Sequence, residues 1–389
     1  MIKLASRIEK VKPSPTLALT AKAKKMQAEG KDIVNFGAGE PDFDTPDFIK
    51  DGAIEAIKSG FTKYTPTAGI LELRQAISEK FKKDNSLQYS PEQIIVSCGA
   101  KHSIYNIISV LVDNDDEVII PSPYWVSYPE MVYLAQGEPI FVETSPANNF
   151  KITPDQLKKN ISKKTKLFII NSPSNPIGCV YTEREIREIA SICVENNIYV
   201  ISDEIYEKLI YDGVAHFSIA SIDSKIYDLT ITVNGASKAY SMTGWRIGYL
   251  GAPLEIAKAI SRMQDHSTSC PTSIAQKAAV FALKEGDEFI KKMREEFKKR
   301  RDYIIMRLDN MSKIDYIRPQ GAFYIFCNIK YTGLSSDNFS SRLLEEAGVS
   351  VIPGSGFGRD DYIRISFATN MKEIEKGMDR LEKWLNNIN

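Results

Sequence analysis

The 389 residues carry no excess of either charge: 50 lysines and arginines meet 50 aspartates and glutamates. A balanced chain has no global field to attract a nucleic acid or an anionic membrane surface. Cysteine is sparse, and Cys98, Cys179, Cys193, Cys270 and Cys327 are scattered, odd in number and without CxxC spacing. Reduced thiols in a cytosolic protein are expected, not a disulfide framework. His102, His216 and His266 lack metal-site spacing and are assigned no chemistry. No window reaches the roughly eighteen apolar residues of a membrane span. The opening "MIKLASRIEKVKPSPT" lacks the apolar core and cleavage site of a signal peptide. A soluble, cytoplasmic protein is the expectation. The loop "GSGFG" (354–358) lacks GxGxxG spacing and a following helix, so it reads as a turn and argues against a nicotinamide dehydrogenase.

What remains is an ordinary globular composition, 43% hydrophobic and 26% charged, on a chain long enough for two domains. Strand-like and helix-like stretches alternate. "QIIVSC" reads as a buried strand, and Ile104, Ile107, Ile108 and Leu111 then recur at helical spacing. "DEVIIPSPYW" and "TKLFIINSPSNPIG" read as strands closed by proline loops. "TEREIREIASICVENN" opens with a threonine cap and continues as a helix. "IYVISDEIY" and "LTITVNGASK" supply two more strands. Such alternation predicts an α/β fold with a mostly parallel sheet covered on both faces, and ligands beyond the carboxyl ends of its strands. The stretch 287–311 reads as one long charged helix, followed by a smaller α+β unit with strands at "GAFYIFCNI" and "YIRISFAT".

The predicted strand ends carry an unusual inventory. The first gives Gly99, Ala100 and Lys101 at a helix start, a place that favours an anion. Later ends give Tyr124 and Trp125, then Asn175, then Asp203 and Tyr206, then Lys238 with Arg246. The segment "NGASKAYSMTGWRIGY" (234–249) holds those last two cations and contains no acid. Small neighbours allow close approach of a ligand. Together these groups suit a flat, phosphorylated, nitrogen-containing ring attached to a lysine.

At this point the chain resembles a known family. "GAGEPDFDTP", "KYTPTAGI", "SPYWVSYPEMV", "NSPSNPIG", "SDEIYEKL", "SKAYSMTGWRIGY", "GAFYIF" and "YIRISFAT" follow one another as in class I aminotransferases of fold type I, which use pyridoxal 5'-phosphate (PLP). The similarity is to the bacterial aspartate aminotransferase branch and spans nearly the whole chain. It implies a homodimer with shared active sites. It also implies an N-terminal arm and first part of the small domain over 1–44, a large PLP domain over 45–290 and a small domain over 291–389.

The resemblance implies roles residue by residue. Lys238 looks like the Schiff-base lysine, which must lose its proton to act as a nucleophile. Arg246 looks like a phosphate ligand, with Gly99, Ala100, Lys101 and Ser237 around the cofactor and Tyr64 donated by the neighbouring subunit. Asp203 looks like the partner of the pyridine nitrogen. The residues alone leave it equally readable as a helix cap, and its choice over Glu204 rests on the resemblance. Tyr206 and Asn175 look like partners of the ring oxygen and Trp125 like its stacking platform. Gly39 and Arg364, with Asn175 and Trp125, look like the substrate clamp, since a planar guanidinium meets a carboxylate through two hydrogen bonds. Ile177 stands where the family often has threonine.

For substrates the resemblance implies L-aspartate and 2-oxoglutarate, exchanging an amino group by a ping-pong route. Lys101, aided by Ser14 and Thr16, would face the side-chain carboxylate; Arg262 has no convincing match to that role. Lys12 resembles a lysine linked to prephenate use in this branch, so prephenate stays open beside aspartate. A broader amino-acid range and a PLP C–S lyase of the same fold also remain open.

Overall fold

The computed structural model describes residues 4–13 and 15–388, without the side chains of residues 15–18. In chain order the strands are β1 (Val34–Asn35), β2 (Ile94–Ser97), β3 (Glu117–Ser122), β4 (Glu138–Glu143), β5 (Thr165–Asn171), β6 (Tyr199–Asp203) and β7 (Thr230–Gly235). There follow β8 (Gly248–Gly251), β9 (Asp315–Tyr316), β10 (Tyr324–Asn328), β11 (Val349–Ser350), β12 (Ile352–Pro353) and β13 (Tyr362–Ser366). Seven of them form one sheet in the order β2-β8-β7-β6-β5-β3-β4. Neighbours pair in parallel except around β8, which runs opposed to both β2 and β7.

Strand side chains alternate between faces, and the core divides accordingly. Val118, Ile120, Leu167, Ile169, Ile201 and Ile231 pack with Ile104, Ile107 and Ile108 of the helix Ala100–Leu111. Ile119, Phe168, Ile170 and Val200 pack on the other face with Ile186, Ile189 and Cys193 of the helix Glu183–Glu195. That second helix starts on a reciprocal cap, in which Thr182 accepts from the Glu185 N–H and Glu185 accepts from the Thr182 N–H.

The carboxyl ends of β2, β3, β5, β6 and β7 all open onto one edge of the sheet. Because β8 is reversed, its amino-terminal end lies at that same edge, and Arg246, two residues before it, arrives there too. The segment "GYLG" that forms β8 is not legible as a strand, since glycine is depleted in strands.

A second sheet, β12-β13-β10-β9, stands beyond the helix Asp287–Leu308. β13 places Arg364 opposite Phe326 of β10 and Ile352 of β12. β1 pairs in parallel with β11, which ties the segment before residue 40 to the C-terminal part of the chain. The "GSGFG" loop is one short 3-10 turn, Gly354–Phe357. No helix among the described residues is long and apolar enough to cross a membrane.

Candidate functional site

At the shared edge lies a cavity of about 590 Å³. Its wall includes Gly39, Trp125, Asn175, Asp203, Tyr206 and Arg364, and also Ala100, Lys101, Ser237, Lys238 and Arg246. Residues separated by more than 300 positions meet because one sheet edge, the loop after β1 and strand β13 converge.

Lys238 is half-buried, and its Nζ donates to the Gly39 carbonyl at 2.6 Å. Burial pulls its pKa from 10.5 down to about 8. Glu40 pushes it back up, Arg364 and Arg246 lower it, and Asp203 raises it. The acids absent from residues 234–249 are thus brought from elsewhere, yet neither pairs with the lysine. A lysine near pKa 8 is partly neutral at physiological pH and able to attack a carbonyl carbon.

Asp203 ends β6 and is buried. Its Oδ2 accepts from the Tyr128 hydroxyl at 2.6 Å and its Oδ1 from the Ile205 N–H at 3.3 Å. Burial raises its pKa to about 6, against the lowering effect of those two bonds. A carboxyl so placed gains from a cationic N–H partner in the cavity.

Arg364 is 3% exposed. Its Nη1 donates to Asn175 Oδ1 at 3.0 Å and its Nη2 to the Gly37 carbonyl at 3.1 Å. The guanidinium carbon sits 4.2 Å from the Tyr324 ring centre. Its Nε is buried with no acceptor. Among the described residues, no carboxylate forms an ion pair with Arg364, Lys238, Arg246 or Lys101. An unpaired buried charge is costly, so the site is built around an anion the protein does not supply.

Arg246 adopts a left-handed backbone (φ 55) and donates from Nη1 to the Thr243 carbonyl at 2.9 Å and from Nη2 to the Cys98 carbonyl at 3.3 Å. Gly99 caps the helix Ala100–Leu111 at φ +92, and a Cβ there would lie 2.5 Å from Arg246 Nη2. Only glycine leaves that space open beside the unpaired N–H groups of the helix start. Lys101 Nζ lies 5.0 Å from the Trp125 ring centre, and burial followed by Arg246 lowers its pKa.

Several residues escaped the sequence reading. Tyr128 and Tyr324 both line the cavity, the first bonded to Asp203 and the second to the Tyr206 hydroxyl at 2.9 Å. Asn171 donates to the Asp203 carbonyl at 2.9 Å and accepts from the Asn175 N–H at 2.8 Å. Tyr128 lies three positions after Trp125 in "PYWVSY", a hint that helical spacing could have given. Other expected residues stay outside the cavity wall. Tyr64 is 92% exposed. Lys12 is exposed, and its backbone N–H donates to Glu130 at 2.8 Å. Ser14 and the side chain of Thr16 lie outside the described residues.

The donor set fits PLP. Arg246 and the helix start at Ala100 and Lys101, capped by Gly99, suit the phosphate, Asp203 the ring nitrogen, Tyr206 and Asn175 the ring oxygen, and Lys238 the aldehyde carbon. Fold and crevice therefore define a PLP-dependent enzyme of fold type I. The sequence pattern of the family described as aminotransferase class I and II matches residues 31–381, and the chain belongs to that family. It is 50% identical to the aspartate aminotransferase of Bacillus sp. (strain YM-2), covering 98% of this chain and 99% of that one. It is 43% identical to the aspartate/prephenate aminotransferase of Nitrosomonas europaea over 99% of this chain and 100% of that one. Among solved structures, aspartate aminotransferase from Thermus thermophilus with maleate superposes with a TM-score of 0.95 at 41% identity, over 98% of this chain and 100% of that one.

Proposed function

We propose that the enzyme moves the amino group of L-aspartate to 2-oxoglutarate, giving oxaloacetate and L-glutamate, in a cytoplasmic homodimer. The observation that supports this most is Arg364, buried beside Asn175 with a free Nε and, among the described residues, no carboxylate partner. An α-carboxylate is the anion its fork matches. Bound PLP supplies an electron sink for the carbanion at substrate Cα.

The chain's own groups do the rest. Lys238 Nζ would hold the cofactor until substrate displaces it, and would then take the Cα proton and return it across the amino nitrogen to the cofactor's former aldehyde carbon. Asp203, which accepts from the Tyr128 hydroxyl, would keep a proton on the ring nitrogen. Arg246 and the start of the helix Ala100–Leu111 would bind the phosphate, and Trp125 would stack on the ring. Lys101 lies in the same wall and makes no ion pair among the described residues, so it would face the side-chain carboxylate. Tyr64, 92% exposed on one subunit, completes the phosphate site of its partner.

The test is oxaloacetate formation from aspartate and 2-oxoglutarate by protein loaded with PLP. A near-visible absorption band should shift with aspartate and return with the oxo acid. Pyruvate release without amino-group exchange would point to a lyase and defeat the proposal. A second reading adds prephenate, favoured by the relatives named for both activities, the Nitrosomonas europaea protein among them. Competition between prephenate and 2-oxoglutarate decides it.

A further inference from the structure

The segment that carries Asp203 and Tyr206 into the cavity has a second face. Glu204 and Glu207 point away from the cavity and are buried, at 1% and 8% exposure. Glu204 collects four donors. Its Oε1 accepts from Ser202 Oγ at 2.8 Å and Ser218 Oγ at 2.6 Å, and its Oε2 from Asn85 Nδ2 at 2.8 Å and His216 Nε2 at 2.9 Å. Asn85 also donates to Glu207 Oε2 at 2.5 Å, and Lys80 pairs with Glu207 while donating to Asn85 Oδ1 at 2.6 Å. Lys80 and Asn85 belong to the last turns of the helix Leu71–Asn85.

Glu204, Glu207 and His216 bring their ligating atoms within 4.8 Å of one another. The Lys80 ammonium already contacts Glu207 and supplies a cation to these acids. The cluster therefore reads as a hydrogen-bond net with an anchoring task, in which His216 Nε2 is engaged and its buried Nδ1 is not. Only one peptide unit separates Glu204 from Asp203, and the Glu207 N–H donates to the Glu204 carbonyl at 3.0 Å. A carboxylate fixed by four donors on one side fixes the backbone whose next side chain emerges on the other.

We propose that Glu204 and His216 are positioning residues: they hold residues 203–209 from behind the sheet so that Asp203 and Tyr206 stand at fixed places in the cavity. This rests on the reading that those two side chains meet PLP. The His216 N–H toward Glu204 is the element that variants can isolate. H216Q keeps a donor of similar reach, H216F removes it, and E204Q removes the anion that all four donors share.

The test is titration of PLP into each apoenzyme, well below its unfolding midpoint, with the near-visible band of the loaded protein followed across pH. H216F and E204Q should weaken PLP binding about tenfold, the size of one lost charged hydrogen bond. They should also move the band's pH midpoint upward, because a ring nitrogen and oxygen held less firmly draw less charge from the lysine nitrogen. H216Q should restore both toward wild type. A merely structural role would lower the unfolding temperature and leave affinity and midpoint unmoved, and that result overturns the proposal. H216Q matching H216F would overturn it too, since packing rather than the donor would then hold the carboxylate. If E204Q does not fold, the histidine pair decides. Failure of the wild-type protein itself to take up PLP would instead sink the functional reading.

Discussion

Two faces of one short segment, residues 203–209, handle charge in opposite ways. Behind the sheet every cation has an acid: Lys80 pairs with Glu207, Lys208 with Asp84 at 2.7 Å, and His216 with Glu204 at 2.9 Å. In the cavity, Lys238, Arg246, Lys101 and Arg364 make no ion pair among the described residues, although Asp203 and Glu40 share the wall. The charges of the paired side are met when the chain folds. The unpaired side is finished only when phosphate and carboxylates arrive, which is the difference between a scaffold and a binding site.

Variants can break this contrast, and the largest effect belongs to the lysine. Lys238→Ala should cost at least about 10⁴-fold in amino transfer, because nucleophile and general acid–base are lost together. The aspartate to 2-oxoglutarate assay reads it, and the near-visible band should be absent. Next comes Arg364→Met. It should reduce kcat/KM for aspartate by about 2–5 kcal/mol, while stabilising the ligand-free protein by about 1–4 kcal/mol, since a buried unpaired charge is replaced by an apolar side chain. Opposite signs in kinetics and in thermal unfolding are the signature sought.

Asp203→Asn sharpens the comparison through pH. The folded pKa of Asp203, about 6, lies above the unfolded 3.8. Folding therefore favours its protonated form, and this group's contribution to stability falls as pH rises from about 4 to about 6. The asparagine variant of the apoprotein should lack that fall and be more stable at pH 7 by about 2–3 kcal/mol. Urea unfolding at several pH values measures it. Lys238 adds the mirror case. Its folded pKa, about 8 against 10.5, makes its contribution to stability rise with pH across that window. Tyr128→Phe should raise the Asp203 pKa further and weaken PLP binding by about 1–2 kcal/mol, read by fluorescence titration. The smallest effect is expected from Lys101→Ala: KM rises for aspartate but not for alanine, by about 1 kcal/mol.

Much of this was legible in the sequence, for identifiable reasons. β2, β3, β5, β6 and β7 are apolar runs closed by turn residues, so their carboxyl ends and the side chains there could be placed in order. Arg246 could be grouped with Lys238 by nearness in sequence, but its phosphate role came only from resemblance, since "GYLG" hides a strand and its reversed direction. Tyr128 and Tyr324 were hidden because their partners lie 75 and 118 positions away. His216 was set aside for lack of local ligand spacing. Its role depends on Glu204, 12 residues before it, and through Glu204 on Asn85, another 119 positions back. Hydrogen bonds of that separation follow from topology, which short motifs do not encode.

The unanswered Nε of Arg364 reaches into laboratory practice. Any small carboxylate in solution that answers it becomes, by mass action, part of the folded state's free energy and a competitor of the substrate. Unfolding temperatures and Michaelis constants taken in citrate, succinate or acetate will therefore describe the enzyme together with its buffer, and only an inert, carboxylate-free medium isolates the protein.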